Sequence, residues 1–333
     1  MSKSKTPSGT YQSIGILGAG AWGMALATVA ARAGRRVSVW TRNSILAAMG
    51  KRAKANPVSG GSLPDGIALT TERAAIARTD AILVAVAAQH TREVLSGFSP
   101  TPGSPLVLCA KGIERGTGKL MTEVLAETVP GAVPAILSGP SFARDVMRGL
   151  PTAVTIAAPA SVAERLQASL GHASFRPYAS QDIIGVALGG ASKNVYAIAC
   201  GIVIGLGLGD SARAALIARS FAELSRLARA LGARDETLTG LSGLGDLVLT
   251  ATSPTSRNFS FGLALGRGEK LAGLLAPGAP LAEGVETAPA LVSRGHRAGI
   301  ELPIAQTVTD ILAGSIAPLD AVPRLMARPL RME

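Results

Sequence analysis

Ser13-Ile14-Gly15-Ile16-Leu17-Gly18-Ala19-Gly20-Ala21-Trp22-Gly23 decides the fold of this chain. Ile14, Ile16 and Leu17 give Ser13–Leu17 the apolar character of a short strand. The next six residues are a G-x-G-x-x-G match, and the apolar stretch after it predicts a helix over 22–33 that Gly34 closes. Between a strand and a helix, this motif marks a dinucleotide site. Gly18 permits the tight turn, Gly20 lets backbone approach a pyrophosphate, and Gly23 allows helix and strand to pack closely. The N-terminus of the helix then attracts the phosphates.

Arg36–Trp40 reads as the second strand, with Val37 and Val39 alternating. The ribose-reading position falls near Trp40-Thr41-Arg42-Asn43, where no Asp or Glu occurs. Arg42 is suited to a 2′-phosphate instead, which favours NADP(H) and leaves NAD(H) open. Farther along, 81–87, 105–110 and 133–138 are apolar runs separated by helical stretches. Such strands belong to a parallel-rich sheet covered on both faces. Further strands are expected over 152–157 and 174–178, with a helix over 161–170 between them.

After about Gln181 the pattern becomes helical. A helix over 211–231 carries Leu216, Phe221, Leu224, Leu227 and Leu231 near helical spacing, with Glu223 and Arg226 expected on an outer, ion-pairing face. Later helices are expected over 259–265, 287–297 and 304–313, with Pro303 at a helix start. The fold class is therefore α/β: a Rossmann-type dinucleotide-binding domain over 1–180, then an all-helical substrate domain over 181–333.

The formal charge of +11, from 33 Lys+Arg against 22 Asp+Glu, favours anionic partners. The basic residues are scattered and not interleaved with aromatics, which speaks against nucleic acid and leaves small phosphorylated ligands attractive. Cys109, Cys200, His90, His172 and His296 form no local metal or disulfide motif, so no metal is expected. His90 is read as a helix-start residue and not as catalytic. The polar N-terminus lacks an apolar signal region, and a cytoplasmic protein is the default. The run 183–209 is long enough to span a bilayer, but a charge near its middle favours a buried helix of a globular domain.

That charge is Lys193, in Gly189-Gly190-Ala191-Ser192-Lys193-Asn194-Val195, and no other charged residue lies between Ile183 and Gly209. An ammonium in apolar surroundings must be paired, solvated or neutralised, so Lys193 is a candidate general acid/base. The flanking glycines are expected to let substrate and nicotinamide approach it. Lys111 follows the strand 105–110, where a ligand crevice is expected. Ser138-Gly139-Pro140-Ser141-Phe142-Ala143 is either a simple turn or an anion-binding one. Asp246 and the triplet Ser256-Arg257-Asn258 supply groups suited to a phosphorylated substrate.

Together these segments resemble the bacterial type of the NAD(P)-dependent glycerol-3-phosphate dehydrogenase family, from about Ser13 to Leu312. The marks are Gly18–Gly23 with Trp22, Lys111-Gly112-Ile113-Glu114, 138–143, 189–194, 241–250, 256–258 and Glu283-Gly284. The resemblance implies reduction of dihydroxyacetone phosphate to sn-glycerol 3-phosphate for phospholipid synthesis, with Lys193 as proton donor and acceptor. It implies substrate contacts from Lys111, Gly139, Ser141, Asp246, Ser256, Arg257 and Asn258. Cofactor contacts are implied for Ala21, Trp22, Arg42, Lys111, Ala143, Arg257, Leu281 and Glu283. Leu281 stands where the family often has Val, and 48–63, with Asn56 and Leu63, is loosely matched. The competing readings are a hydroxy-acid or sugar-acid dehydrogenase of the same two-domain build and a non-catalytic NADP-binding sensor. The sequence leaves the assembly open, with a homodimer as the candidate.

Overall fold

A computed structural model describes residues 9–45, 47–48 and 64–326; Asn56 and Leu63 lie outside them. The chain divides into two compact units, one of Met1–Ala110 with Met121–Ala187 and one of Lys111–Leu120 with Leu188–Glu333.

The first unit is built on an eight-stranded sheet. Its strands are β1 (Ser13–Leu17), β2 (Arg36–Trp40), β3 (Ile67–Thr70), β4 (Ala81–Val84), β5 (Pro105–Leu108), β6 (Val133–Ser138), β7 (Thr152–Ala157) and β8 (Phe175–Ser180). They lie in the order β3-β2-β1-β4-β5-β6-β7-β8. All neighbours pair in parallel except β6 and β7. β1 has β2 on one side and β4 on the other, so the strand order reverses there, and a ligand crevice forms beyond the strand ends at such a switch point.

Helix α1 (Ala21–Arg32) buries Met24, Leu26 and Val29 in one core with Ile14, Ile16, Val37, Val39 and Leu83. Each such side chain contributes about 1.5–3 kcal/mol when fully buried. Gly34 has φ +80° and donates its N–H to Ala31 O, which ends α1 as expected. The expected strand 81–87 stops at Val84. Ala85 N still donates to Leu17 O, but β1 itself turns away at Gly18, so pairing cannot continue. Edge strand β3 had no counterpart in the sequence reading, because only Leu69 of its four residues is buried and no alternation marks it. The helices α2 (Thr91–Leu95), α3 (Ala143–Arg148) and α4 (Ala160–Leu170) follow β4, β6 and β7.

The second unit is helical, with α5 (Ile183–Gly205) from Leu188 onward, α6 (Gly209–Ala230), α7 (Asp246–Thr252), α8 (Arg257–Gly266), α9 (Glu283–Arg297) and α10 (Pro303–Leu312). α5 is apolar and long enough to cross a membrane, and its most apolar 18-residue window is 89% buried within the protein. Its glycines serve helix contact. A Cβ on Gly201 would fall 2.1 Å from Phe259 O, and one on Gly262 of α8 would fall 2.0 Å from Ile198 O, so the two backbones nearly touch.

Glu223 of α6 departs from the expected solvated face: it is 2% exposed. Its carboxylate accepts the N–H of Ile304 at 2.7 Å and of Ala305 at 3.4 Å, and the hydroxyl of Tyr196 at 3.4 Å. It thus satisfies the free N–H groups at the start of α10.

Candidate functional site

In the first unit the glycine motif makes a backbone cradle. Gly18 has φ +113°, and a Cβ there would lie 2.8 Å from Ala85 O. A Cβ on Gly23 would lie 1.9 Å from Gly18 O, so any side chain would push α1 off the turn. Gly20 is the N-cap of α1, and among the described residues nothing lies within 4 Å of a Cβ built on it and no side chain caps the helix. Ala21 is exposed in the first turn, while Trp22 packs on the core with its Nε1 buried and without a hydrogen-bond partner among the described residues.

A cavity of about 420 Å³ adjoins this turn, lined by Gly18 and Gly20, by Thr41 and Arg42 after β2, and by Ala87 and His90 after β4. Free helix N–H groups and close backbone approach suit a pyrophosphate, so the residues present fit a dinucleotide. Arg42 lies at the cavity and pairs with Glu93 at 3.2 Å.

The turn after β6 holds Gly139, Ser141 and Ala143. Gly139 has φ +145°, and a Cβ there would lie 2.9 Å from Val154 Cα, so glycine is required. Ser141 Oγ donates to Gly139 O at 3.0 Å, and Ala143 starts α3.

In the second unit α5 carries Lys193 and α7 carries Asp246 and Thr250 one turn apart on the same face. Lys193 Nζ donates to Asp246 Oδ1 at 2.5 Å and to Thr250 Oγ1 at 2.7 Å. Lys111 Nζ donates to the other oxygen of Asp246 at 2.6 Å. Lys193 is 6% exposed and Asp246 fully buried, so one carboxylate holds two ammonium groups away from bulk water. Burial pulls the Lys193 ammonium down to about 8 against the pull of Asp246, and the neighbouring charge of Lys111 adds to burial. Burial acts upward on the Asp246 carboxyl, but the two lysines overcome it and hold the group below the usual carboxylate range.

A second chain of hydrogen bonds fixes this cluster. Asn194 Nδ2 donates to Lys111 O at 2.8 Å, and Asn258 Nδ2 donates to Asn194 Oδ1 at 2.9 Å. Gly284 N donates to Asn258 Oδ1 at 2.9 Å. The Asn258 amide is thus engaged by protein at both ends, although the sequence reading gave it to substrate. Ser256 Oγ caps α8 by accepting the Phe259 N–H at 3.2 Å. Arg257 is exposed in the first turn of α8. Glu283 is half-buried at the start of α9, and Leu281 is 49% exposed.

Gly189 does not open Lys193 to a ligand: a Cβ there would meet Ser242 O at 2.6 Å, so this glycine admits the turn that leads into α7. Asn194 and Thr250 join the cluster without having been expected from the sequence as its contacts. The available signals were a polar neighbour of Lys193 within an apolar run and the four-residue step from Asp246.

A dinucleotide cradle at the switch point of a parallel sheet, with a buried lysine–carboxylate cluster in a helical unit, defines an NAD(P)-dependent oxidoreductase. The family described as NAD-dependent glycerol-3-phosphate dehydrogenase matches by its N-terminal part over residues 13–163 and by its C-terminal part over 182–323. The chain belongs to this family.

Relatives named glycerol-3-phosphate dehydrogenase (NAD(P)+) include one from Bradyrhizobium sp. (strain ORS 278), 56% identical over 327 residues, covering 97% of this chain and 98% of its own length. One from Maricaulis maris (strain MCS10) is 53% identical over 331 residues, with 97% and 98% covered. The crystal structure of glycerol-3-phosphate dehydrogenase from Coxiella burnetii has a TM-score of 0.87 at 36% identity, covering 96% of this chain and 99% of that one.

Proposed function

We propose that this protein catalyses the reversible reduction of dihydroxyacetone phosphate to sn-glycerol 3-phosphate, with Lys193 as proton donor and acceptor. The observation that carries the reading is the buried Lys193 ammonium, held between Asp246 and Thr250 beside a second lysine. NAD(P)H, when bound in the glycine cradle, supplies the hydride that adds to the carbonyl carbon. Lys193 Nζ gives a proton to the carbonyl oxygen as its π pair becomes an O–H bond, and the neutral amine takes the proton back in the oxidation direction. An ammonium poised at about 8 is charged at neutral pH and still able to release its proton.

Asp246 orients Lys193, and Lys111 leaves the cluster with one positive charge in excess, which favours negative charge developing on the substrate oxygen. Arg257, exposed in the first turn of α8, holds the phosphate. Binding energy at that end positions the carbonyl. Gly139 and Ser141 are assigned to substrate, and Gly18, Gly20, Ala21, Trp22, Gly23, Arg42, Ala143, Leu281 and Glu283 to the dinucleotide, as the family resemblance implies. The reading places the enzyme in the cytoplasm, among its nucleotide cofactors and phosphorylated substrates.

Lys193→Ala is expected to lower turnover of dihydroxyacetone phosphate by about 10²–10⁴-fold, with NADPH affinity, followed by calorimetry, nearly unchanged. Turnover near the wild-type rate would remove Lys193 from the mechanism. Arg257→Ala is expected chiefly to raise KM for the phosphorylated ketone, and an unchanged KM counts against its phosphate role.

A further inference from the structure

The geometry points to Glu93 as a determinant of cofactor choice: it restrains the Arg42 guanidinium and so sets the balance between NADPH and NADH. This rests on the reading of Arg42 as a cofactor contact. The end of β2 lacks the acidic residue that an NAD-selective site often places there. The structure brings one to the same place from another element. Arg42 follows β2, Glu93 lies on α2 after β4, and β2 and β4 flank β1 in the sheet. Their ion pair therefore joins the elements on either side of the switch point, beside the cavity that Arg42 and His90 line.

Arg42 Nη1 lies 3.2 Å from Glu93 Oε1, and Glu93 Oε2 lies 3.4 Å from His90 Nδ1. With one oxygen toward each neighbour, the carboxylate is aimed at the guanidinium. The Arg42 and Glu93 side chains are 63% and 62% exposed, so the pair contributes little to folding and is free to rearrange.

A 2′-phosphate competes with Glu93 for the same guanidinium and is repelled by its carboxylate. A 2′-hydroxyl meets neither obstacle. Arg42 thus favours NADPH, and Glu93 takes back part of that preference. The pair leaves both cofactors usable.

The test is calorimetric titration of the whole enzyme with NADPH and with NADH, in wild type, Glu93→Gln and Arg42→Ala. Glu93→Gln is expected to shift the ratio of dissociation constants toward NADPH by about two- to fivefold, the span of an exposed ion pair. Arg42→Ala is expected to shift it toward NADH by about tenfold or more, since a charge-assisted phosphate contact is lost. Retained NADH binding in both variants shows the cradle intact.

If Arg42→Ala shifts the ratio while Glu93→Gln leaves it unchanged or moves it toward NADH, the role of Glu93 is overturned and that of Arg42 stands. If Arg42→Ala leaves the ratio unchanged, the reading of Arg42 fails, and the inference with it.

Discussion

Asp246 and Glu223 are both buried carboxyl groups of the helical unit, and they end in opposite states. Asp246 sits between two lysine ammonium groups and is held below the usual carboxylate range. Glu223 accepts two backbone N–H groups at the start of α10, faces the Tyr196 hydroxyl, and is pushed up to about 7 by burial. Backbone dipoles and the Arg226 charge lower the Glu223 carboxyl but do not outweigh lost hydration, whereas two ammonium groups at hydrogen-bond distance do so for Asp246. The first arrangement keeps an anion that holds two lysine ammonium groups in place. The second makes a group that gains and loses its proton near neutrality while tying α6 to α10.

The sharpest way to break this contrast is Asp246→Asn. Without the carboxylate, Lys111 and Lys193 lose the buried anion that both of them contact. Removing one partner of a buried pair costs about 3–5 kcal/mol. Thermal unfolding should show a loss of that size, and turnover should fall by about 10²–10⁴-fold as Lys193 loses its orientation and its charge. A stable, active variant would mean that the lysines do not need the anion.

Next in size is the pH dependence of the reaction itself. Lys193 must be charged to donate a proton, so ketone reduction should fall by roughly tenfold per pH unit above about 8, while alcohol oxidation should rise toward a plateau there. Lys111→Met removes a positive neighbour and should move that inflection to higher pH. Initial rates in both directions across pH 6–10, a range of about two pH units to each side, decide it. An inflection that stays put in the variant would detach Lys111 from the charge balance.

The smallest effect belongs to Glu223. Its folded value of about 7 lies above its ordinary value of 4.5, so the native state binds more protons than the unfolded chain between them. The stability it contributes is fully present below about 4.5 and is lost as pH rises through about 7. Glu223→Gln keeps an acceptor for Ile304 N and should flatten that slope in urea unfolding, by at most roughly 3 kcal/mol. An unchanged slope would show that the carboxyl is ionised throughout.

Much of the first unit was legible because its signals are local. The turn Gly18–Gly23 needs glycine for reasons of backbone geometry within a few residues, β1 and β6 are largely apolar runs, and β2 shows the alternation of Val37 and Val39. The second unit was less so. Helical spacing placed Glu223 on the outside of α6, but spacing is silent about what packs there, and the N-terminus of α10 arrives from about eighty residues away. Gly189 looked like room for a ligand beside Lys193 and is in fact room for the backbone of Ser242. Arg42 looked free to read a phosphate, and only the sheet order shows Glu93 beside it.

The sequence by itself determined the strand–turn–helix start of the first unit, its glycine cradle and the expectation that Lys193 is functional, because each rests on contiguous residues and on the cost of a charge in an apolar run. Tertiary structure alone decided which groups meet that charge. Lys111, Asn194, Asp246, Thr250 and Asn258 come together from distant parts of the chain, and electrostatics at 2.5–2.9 Å depends on distances that no spacing along the sequence encodes.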